Sequence, residues 1–154
     1  MIQLRQANQT ARCLIGHSEG FSLTAYPDGV GIWTIGWGTT RINGQPVTEG
    51  TTITEDQAND YFNHDISVFE RDICDAVTVP LTDNQFGALV SLCYNIGSGN
   101  FRSSTLLRKL NDGDYDGAAD EFSRWIYSAG HVLNGLVERR RKEKKLFLTP
   151  DDES

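Results

Sequence analysis

No stretch of the 154 residues approaches eighteen consecutive apolar positions, so the sequence offers nothing that reads as a membrane-spanning helix. The N-terminus, Met1-Ile-Gln-Leu-Arg-Gln-Ala-Asn-Gln-Thr-Ala-Arg12, lacks the basic-then-apolar layout of a signal peptide, and no export anchor is expected. There is no excess of positive charge. The net charge of −7 argues against nucleic acid as the main partner. There are no repeats and no low-complexity linker.

Cysteine is scarce as well. Cys13, Cys74 and Cys93 form no Cys-x-x-Cys pair, and His17, His64 and His131 form no i,i+4 pair, so no metal site is expected. The odd count suits a reducing compartment. Each cysteine falls on the apolar face of a helical pattern, which predicts buried thiols.

What is present fits one folding unit, 1–154, with two small lobes. Leu4, Ala7, Ala11, Leu14 and Ile15 follow helical spacing and predict a helix over 3–18, with Glu19 at its end and Gly20 as the stop. From 20 to about 53 the pattern changes. Phe21, Leu23 and Ala25 alternate with Ser22 and Thr24. Pro27-Asp28-Gly29 reads as a turn, Ile32–Thr40 is β-rich, and Ile42-Asn43-Gly44-Gln45 is a type I′ hairpin signal. A small antiparallel sheet of two or three strands is expected there.

From Thr54 the chain reads as helical to about residue 150. Thr54-x-x-Gln57 and Thr82-x-x-Gln85 are capping boxes. The first opens a helix running to about Cys74, long enough to join two lobes. Shorter helices are expected at 103–111, 115–127 and 135–147. The fold class is α+β, with strands confined to one early block.

The chemistry concentrates in Glu19-x8-Asp28-x5-Thr34. Two carboxylates are the minimum equipment for cutting a glycosidic bond: one protonates the leaving oxygen and the other supports the attacking nucleophile. A Glu-x8-Asp-x5-Thr pattern arises by chance in about one chain in twenty of this composition, so the context decides. Glu19-Gly20, Tyr26-Pro-Asp28-Gly29 and Thr34-Ile-Gly36-Trp-Gly38 flank the three residues together. On these segments the chain resembles the phage-type lysozymes, the muramidase endolysins of glycoside hydrolase family 24. The similarity extends along nearly the whole sequence.

The resemblance implies a lysozyme-like fold and hydrolysis of the β-1,4 bond between N-acetylmuramic acid and N-acetylglucosamine in peptidoglycan. Glu19 would be the general acid, at a helix end where a carboxylate's charge is disfavoured. Asp28 would orient or deprotonate the attacking water, and Thr34 would hold it. Without the resemblance, Asp28 reads as ordinary Asp-Gly turn chemistry and Thr34 as a plain strand residue. Trp33 and Trp37 could stack on sugars, with core packing expected for at least one.

In the helical part, Tyr94-Asn95-Ile-Gly97 resembles the family segment facing the substrate, and Asn95 would bind a sugar. Trp125 resembles a substrate-site tryptophan. Arg139 resembles the arginine that pairs with the catalytic glutamate, with Arg140 its neighbouring candidate. The basic run 138–145 would otherwise be a solvated helix face.

The reaction needs no cofactor. The implied partner is the peptidoglycan polysaccharide, with no nucleic acid and no membrane insertion, and the protein would act as a monomer. It would stay in the host cytoplasm until a holin permeabilises the membrane, then act on the periplasmic wall. A lytic transglycosylase would need the glutamate but not the Asp28–Thr34 pair. A non-catalytic wall-binding protein would need none of the three.

Overall fold

The computed structural model describes residues 5–28 and 31–151. Its internal contacts divide the chain into two compact units, Gly16–Val68 and Met1–Ile15 with Phe69–Ser154. Helices α1 (Gln9–Glu19) and α2 (Glu55–Ala76) each contribute to both.

The Gly16–Val68 unit is built on hairpins. Strand β1 (Ser22–Pro27) pairs antiparallel with β2 (Trp33–Gly36), with Tyr26 opposite Thr34 and Pro27 opposite Trp33. Strands β3 (Arg41–Ile42) and β4 (Gln45–Pro46) form a second hairpin. Its turn residues Asn43 and Gly44 have φ of 53° and 80°, the positive pair that a type I′ turn requires. The Thr51–Ile53 segment runs along β1 through Ala25 N–H to Thr51 O and Ile53 N–H to Leu23 O.

Alternation along the first hairpin separates two faces. Ala25, Trp33 and Ile35 share one face and build the unit's core with Val47, Ile42 and Ile53. Tyr26, Asp28 and Thr34 fall on the other. Helix α2 then starts at the capping box read from the sequence: Gln57 N–H donates to Thr54 Oγ1 at 3.1 Å, and Thr54 N–H to Gln57 Oε1 at 2.9 Å.

The second unit is helical around α3 (Asp83–Ile96). This helix is buried continuously from Phe86 to Cys93, as expected of one that is apolar on nearly every side. Thr82 and Gln85 close the second capping box. Ala11 of α1 approaches so closely that a Cβ on Gly87 would sit 2.7 Å from the Ala11 Cβ. Helices α4 (Ser98–Arg102), α5 (Thr105–Asn111), α6 (Tyr115–Glu121) and α7 (Asn134–Leu148) complete the unit, with a short 3₁₀ turn at Phe122–Arg124.

Four expectations shift. The first helix begins at Gln9 rather than residue 3, because Asn8 caps it: Asn8 Oδ1 accepts from Ala11 N–H while its amide nitrogen donates to Asn84. Leu4 lies outside the described residues. Helix α4 was not foreseen, and it takes Gly99 into its interior. The helix expected over 115–127 stops at Glu121, and a hairpin follows, β5 (Tyr127–Ser128) with β6 (His131–Val132), turning on Ala129 and Gly130 at positive φ. Finally, Cys13 is exposed and Cys74 half-buried, so only the Cys93 thiol fits the expectation of burial. Burial pushes that thiol up to about 12, which makes it a poor nucleophile.

Glu121 is almost fully buried on α6. It meets Lys109 of α5 at 2.9 Å, and also Arg124. The Lys109 hydrogen bond, helped by Arg124, holds its carboxyl below the usual range against the opposing effect of burial. Its contribution is therefore present above the unfolded-state value of about 4.3 and is lost as pH falls through the lower folded value. Glu121→Gln should lower stability by about 1 kcal/mol at pH 7, or ~2–4 °C in melting temperature. The gap from the parent should close on acidification, and thermal melts of both proteins between pH 7 and 3 check this.

Candidate active site

Glu19 is the last residue of α1, and Gly20, at φ 76°, turns the chain away while its N–H caps Gly16 O. The half-buried Glu19 side chain lies along Gly38. A Cβ built on Gly38 would sit 3.3 Å from Glu19 Oε1 and 3.4 Å from its Cβ and Cγ. Gly38 has φ 97°, a conformation that L side chains rarely adopt. A glycine in a strand pattern allows close approach of a ligand or another backbone. In the structure Gly38 makes room for the Glu19 side chain, and Gly36 rests on Ala58 and Ile53.

Asp28 and Thr34 meet through one residue between them. Asp28 Oδ1 accepts from Ile32 N–H at 2.8 Å, and Thr34 Oγ1 donates to Ile32 O at 3.0 Å. The Ile32 backbone thus fixes a carboxylate and a hydroxyl on the same hairpin face. Asp28 N–H also donates to Ile32 O at 2.8 Å, closing the loop. Gly29 of the expected turn lies outside the described residues. Thr34 is buried and Asp28 half-buried, and the Ile32 backbone bonds to both.

Tyr26 was not singled out from the sequence. It stands opposite Thr34 in the hairpin and two residues before Asp28, on their face. Burial raises its phenol above the ordinary value, and the negative charges of Glu19 and then Asp28 raise it further. The phenol therefore lies within electrostatic reach of both carboxylates. The period-two spacing to Asp28 was the available signal. Trp33 packs on the hairpin core. Trp37 lies over Phe21 with ring centroids 4.6 Å apart and donates from Nε1 to Asn59 at 3.1 Å. Both tryptophans thus have packing roles inside the unit.

The other three sequence candidates belong to the helical unit. Asn95 is exposed near the end of α3, and its Oδ1 accepts from Arg140 Nη2. Arg139 is buried, donating from Nε to Glu143 at 3.3 Å and from Nη2 to Ser91 O at 3.1 Å. Arg140 also pairs with Glu143 at 3.3 Å, and Ser91 donates its hydroxyl to the same carboxylate at 2.5 Å. Glu143, fully buried, organises this cluster and was missed because it reads as one more charge in a basic run. That run is not simply a solvated face: Arg139, Arg140 and Glu143 are buried, while Arg141 and Glu138 pair at the surface. Trp125 is half-buried just after the 3₁₀ turn, its N–H bonded to Phe122 O. No group of three or more metal-ligating side chains occurs among the described residues.

The glycine geometry can be tested without an activity assay. Gly44, at φ 80°, has open space where a Cβ would go, whereas Gly38 has the Glu19 side chain. Gly44→Ala should cost about 1 kcal/mol, the backbone strain alone. Gly38→Ala should cost more, about 2–3 kcal/mol, because strain and contact add. Equal melting temperatures for the two variants would contradict the placement of Glu19.

Known proteins share this arrangement of elements. The family model described as Phage lysozyme matches residues 16–143. A SAR-endolysin of Enterobacteria phage P21 is 42% identical over 130 residues, covering 84% of this chain and 77% of the relative. Among solved structures, the endolysin from Escherichia coli O157:H7 phage FAHEc1 superposes with a TM-score of 0.86 at 38% identity, covering 96% of both chains. The muramidase domain of SpmX from Asticaccaulis excentricus does so at 0.83 and 35% identity, covering 95% of this chain and all of that one. With its lysozyme-like α+β fold and a match across most of its length, the chain belongs to the phage lysozyme family.

Proposed function

We propose that this protein is an endolysin that hydrolyses the β-1,4 bond between N-acetylmuramic acid and N-acetylglucosamine in peptidoglycan. The observation that carries the reading is the Asp28–Ile32–Thr34 arrangement, together with a Tyr26 phenol that both Glu19 and Asp28 reach electrostatically. Thr34 gives its hydroxyl proton to Ile32 O, so its oxygen presents lone pairs. A water that donates one hydrogen to Thr34 Oγ1 and the other to the Asp28 carboxylate keeps a lone pair directed outward. That is the orientation a nucleophile needs.

In this reading Glu19 supplies the proton to the leaving glycosidic oxygen while the held water attacks the anomeric carbon. Asp28 takes the proton that the water loses. The products are two sugar ends, one a free hydroxyl and one a reducing end, so water, Glu19 and Asp28 account for every proton and no cofactor enters. The C-terminal end of α1 suits the task, because an ionised carboxylate gains no stability there. Asn95, Trp125 and Arg139 are proposed to contribute to substrate binding, Asn95 being held by Arg140.

A lytic transglycosylase is the alternative. It uses the glutamate alone and closes the sugar on itself, so the built Asp28–Thr34 pair would have no task. The protein is proposed to act as a monomer, held in the host cytoplasm until a holin opens the membrane. No helix among the described residues is long and apolar enough to cross one.

Glu19→Gln, which keeps the shape and removes the donated proton, should reduce lysis of outer-membrane-permeabilised Gram-negative cells by about 10²–10⁴-fold with an unchanged circular dichroism spectrum. Thr34→Val should lose about 10–100-fold. The parent should release reducing ends. Anhydro-muramic ends, or near-normal lysis by folded Glu19→Gln protein, would overturn the assignment.

A further inference from the structure

We propose that Asp65 and Thr39 form a clamp that positions Glu19, making them positioning residues for the reaction. The proposal rests on the reading of Glu19 as the proton donor. Its starting point is the five-residue turn Ile35-Gly36-Trp37-Gly38-Thr39. The turn is closed by two backbone bonds, Ile35 N–H to Thr39 O at 2.9 Å and Thr39 N–H to Ile35 O at 2.8 Å. Its Gly38 is the surface on which the Glu19 side chain lies, so the position of that backbone sets the space open to the Glu19 carboxyl.

The rear of the turn is fixed to one face of α2. Ala58, Phe62 and Asp65 follow one another at spacings of four and three, which places them in line along a helix. Ala58 lies beneath Gly36, where a Cβ would meet its own at 3.4 Å. Phe62 and Asn59 hold the Trp37 ring, by ring contact and by hydrogen bond. Asp65 takes the last position, accepting the Thr39 hydroxyl at 2.7 Å. Thr39 is fully buried, so this bond is shielded from solvent competition.

Asp65 is the acceptor for a buried hydroxyl, yet its own charge is not favoured there. It is half-buried, and burial pushes it above the usual carboxylate range against the opposing pulls of Thr39 and His64. What the carboxylate supplies is a short, directional anchor for the end of the turn that carries Gly38. A displacement of about 1 Å at a reacting group can cost up to ~10²-fold in rate, so such an anchor acts on turnover more than on binding.

The test compares kcat and KM on soluble peptidoglycan oligomers. Thr39→Val keeps the side-chain shape and removes the donor, and should lower kcat about tenfold with KM within about twofold. Thr39→Ser keeps the donor and should restore kcat to within about twofold of the parent. Asp65→Ala should match Thr39→Val, and the double variant should lose no more than either alone. If Thr39→Val does not fold, Asp65→Asn against Asp65→Ala carries the same comparison, since the amide oxygen still accepts the hydroxyl. Full kcat in folded Thr39→Val, no rescue by Thr39→Ser, or a change confined to KM overturns the clamp. Glu19→Gln is assayed alongside: inactive Glu19→Gln with fully active Thr39→Val sinks the clamp alone, and active Glu19→Gln sinks the reading beneath it.

Discussion

Glu19 leaves α1 at its last residue, and the backbone that lies against its side chain carries no Cβ. This contact between a carboxylate and Gly38 is the constraint on which the rest of the hairpin unit turns. It requires a turn with positive φ at both Gly36 and Gly38, closed in front by the two Ile35–Thr39 backbone bonds. The structure supplies the holding from behind: Ala58 under Gly36, Asn59 and Phe62 on Trp37, and Asp65 on Thr39. A helix end that offers an anion no stability and a turn that only glycine tolerates are two unfavourable local choices in contact. Such conflicts are expected where function rather than stability selects the residues.

The β1–β2 hairpin divides its labour by alternation. Its Ala25–Trp33–Ile35 face makes the core, and its Tyr26–Asp28–Thr34 face carries the candidate site residues. A one-residue slip in register would exchange the two faces. In the proposed function, register therefore decides whether Asp28 and Thr34 share a face. The Ile32 backbone is its local guarantor, because its N–H and C=O engage Asp28 and Thr34 together. In the helical unit Glu143 does comparable work, holding Arg139 and Arg140, the latter bonded to Asn95.

Much of this was legible in the sequence, and the reasons are physical. Capping boxes are local chemistry, so Thr54–Gln57 and Thr82–Gln85 announced two helix starts correctly. The Asn43-Gly44 turn was equally local. Glu19, Asp28 and Thr34 could be named because they lie within sixteen residues of one another. Long-range effects were not legible. The start of α1 depends on Asn8 bonding to Asn84, the burial of the basic run depends on Ser91 and Glu143, and Asp65 gains its role only when α2 packs behind the Gly36–Gly38 turn. The Tyr127–Val132 hairpin turns on Ala129 and Gly130, where an alanine at positive φ gives almost no advance signal.

The proposal at the centre is that Asp28 and Thr34 hold the attacking water; in a single displacement that water reaches the sugar on the face opposite the leaving group. The most direct test is the anomeric configuration of the first-formed product, followed by proton NMR during cleavage of a soluble peptidoglycan oligomer before mutarotation. Attack by the held water on the β-linked sugar predicts the α-anomer first, with the β-anomer growing in later. Initial release of the β-anomer would mean two displacements through a covalent intermediate. It would contradict the account by making Asp28 a nucleophile rather than the residue that orients the water.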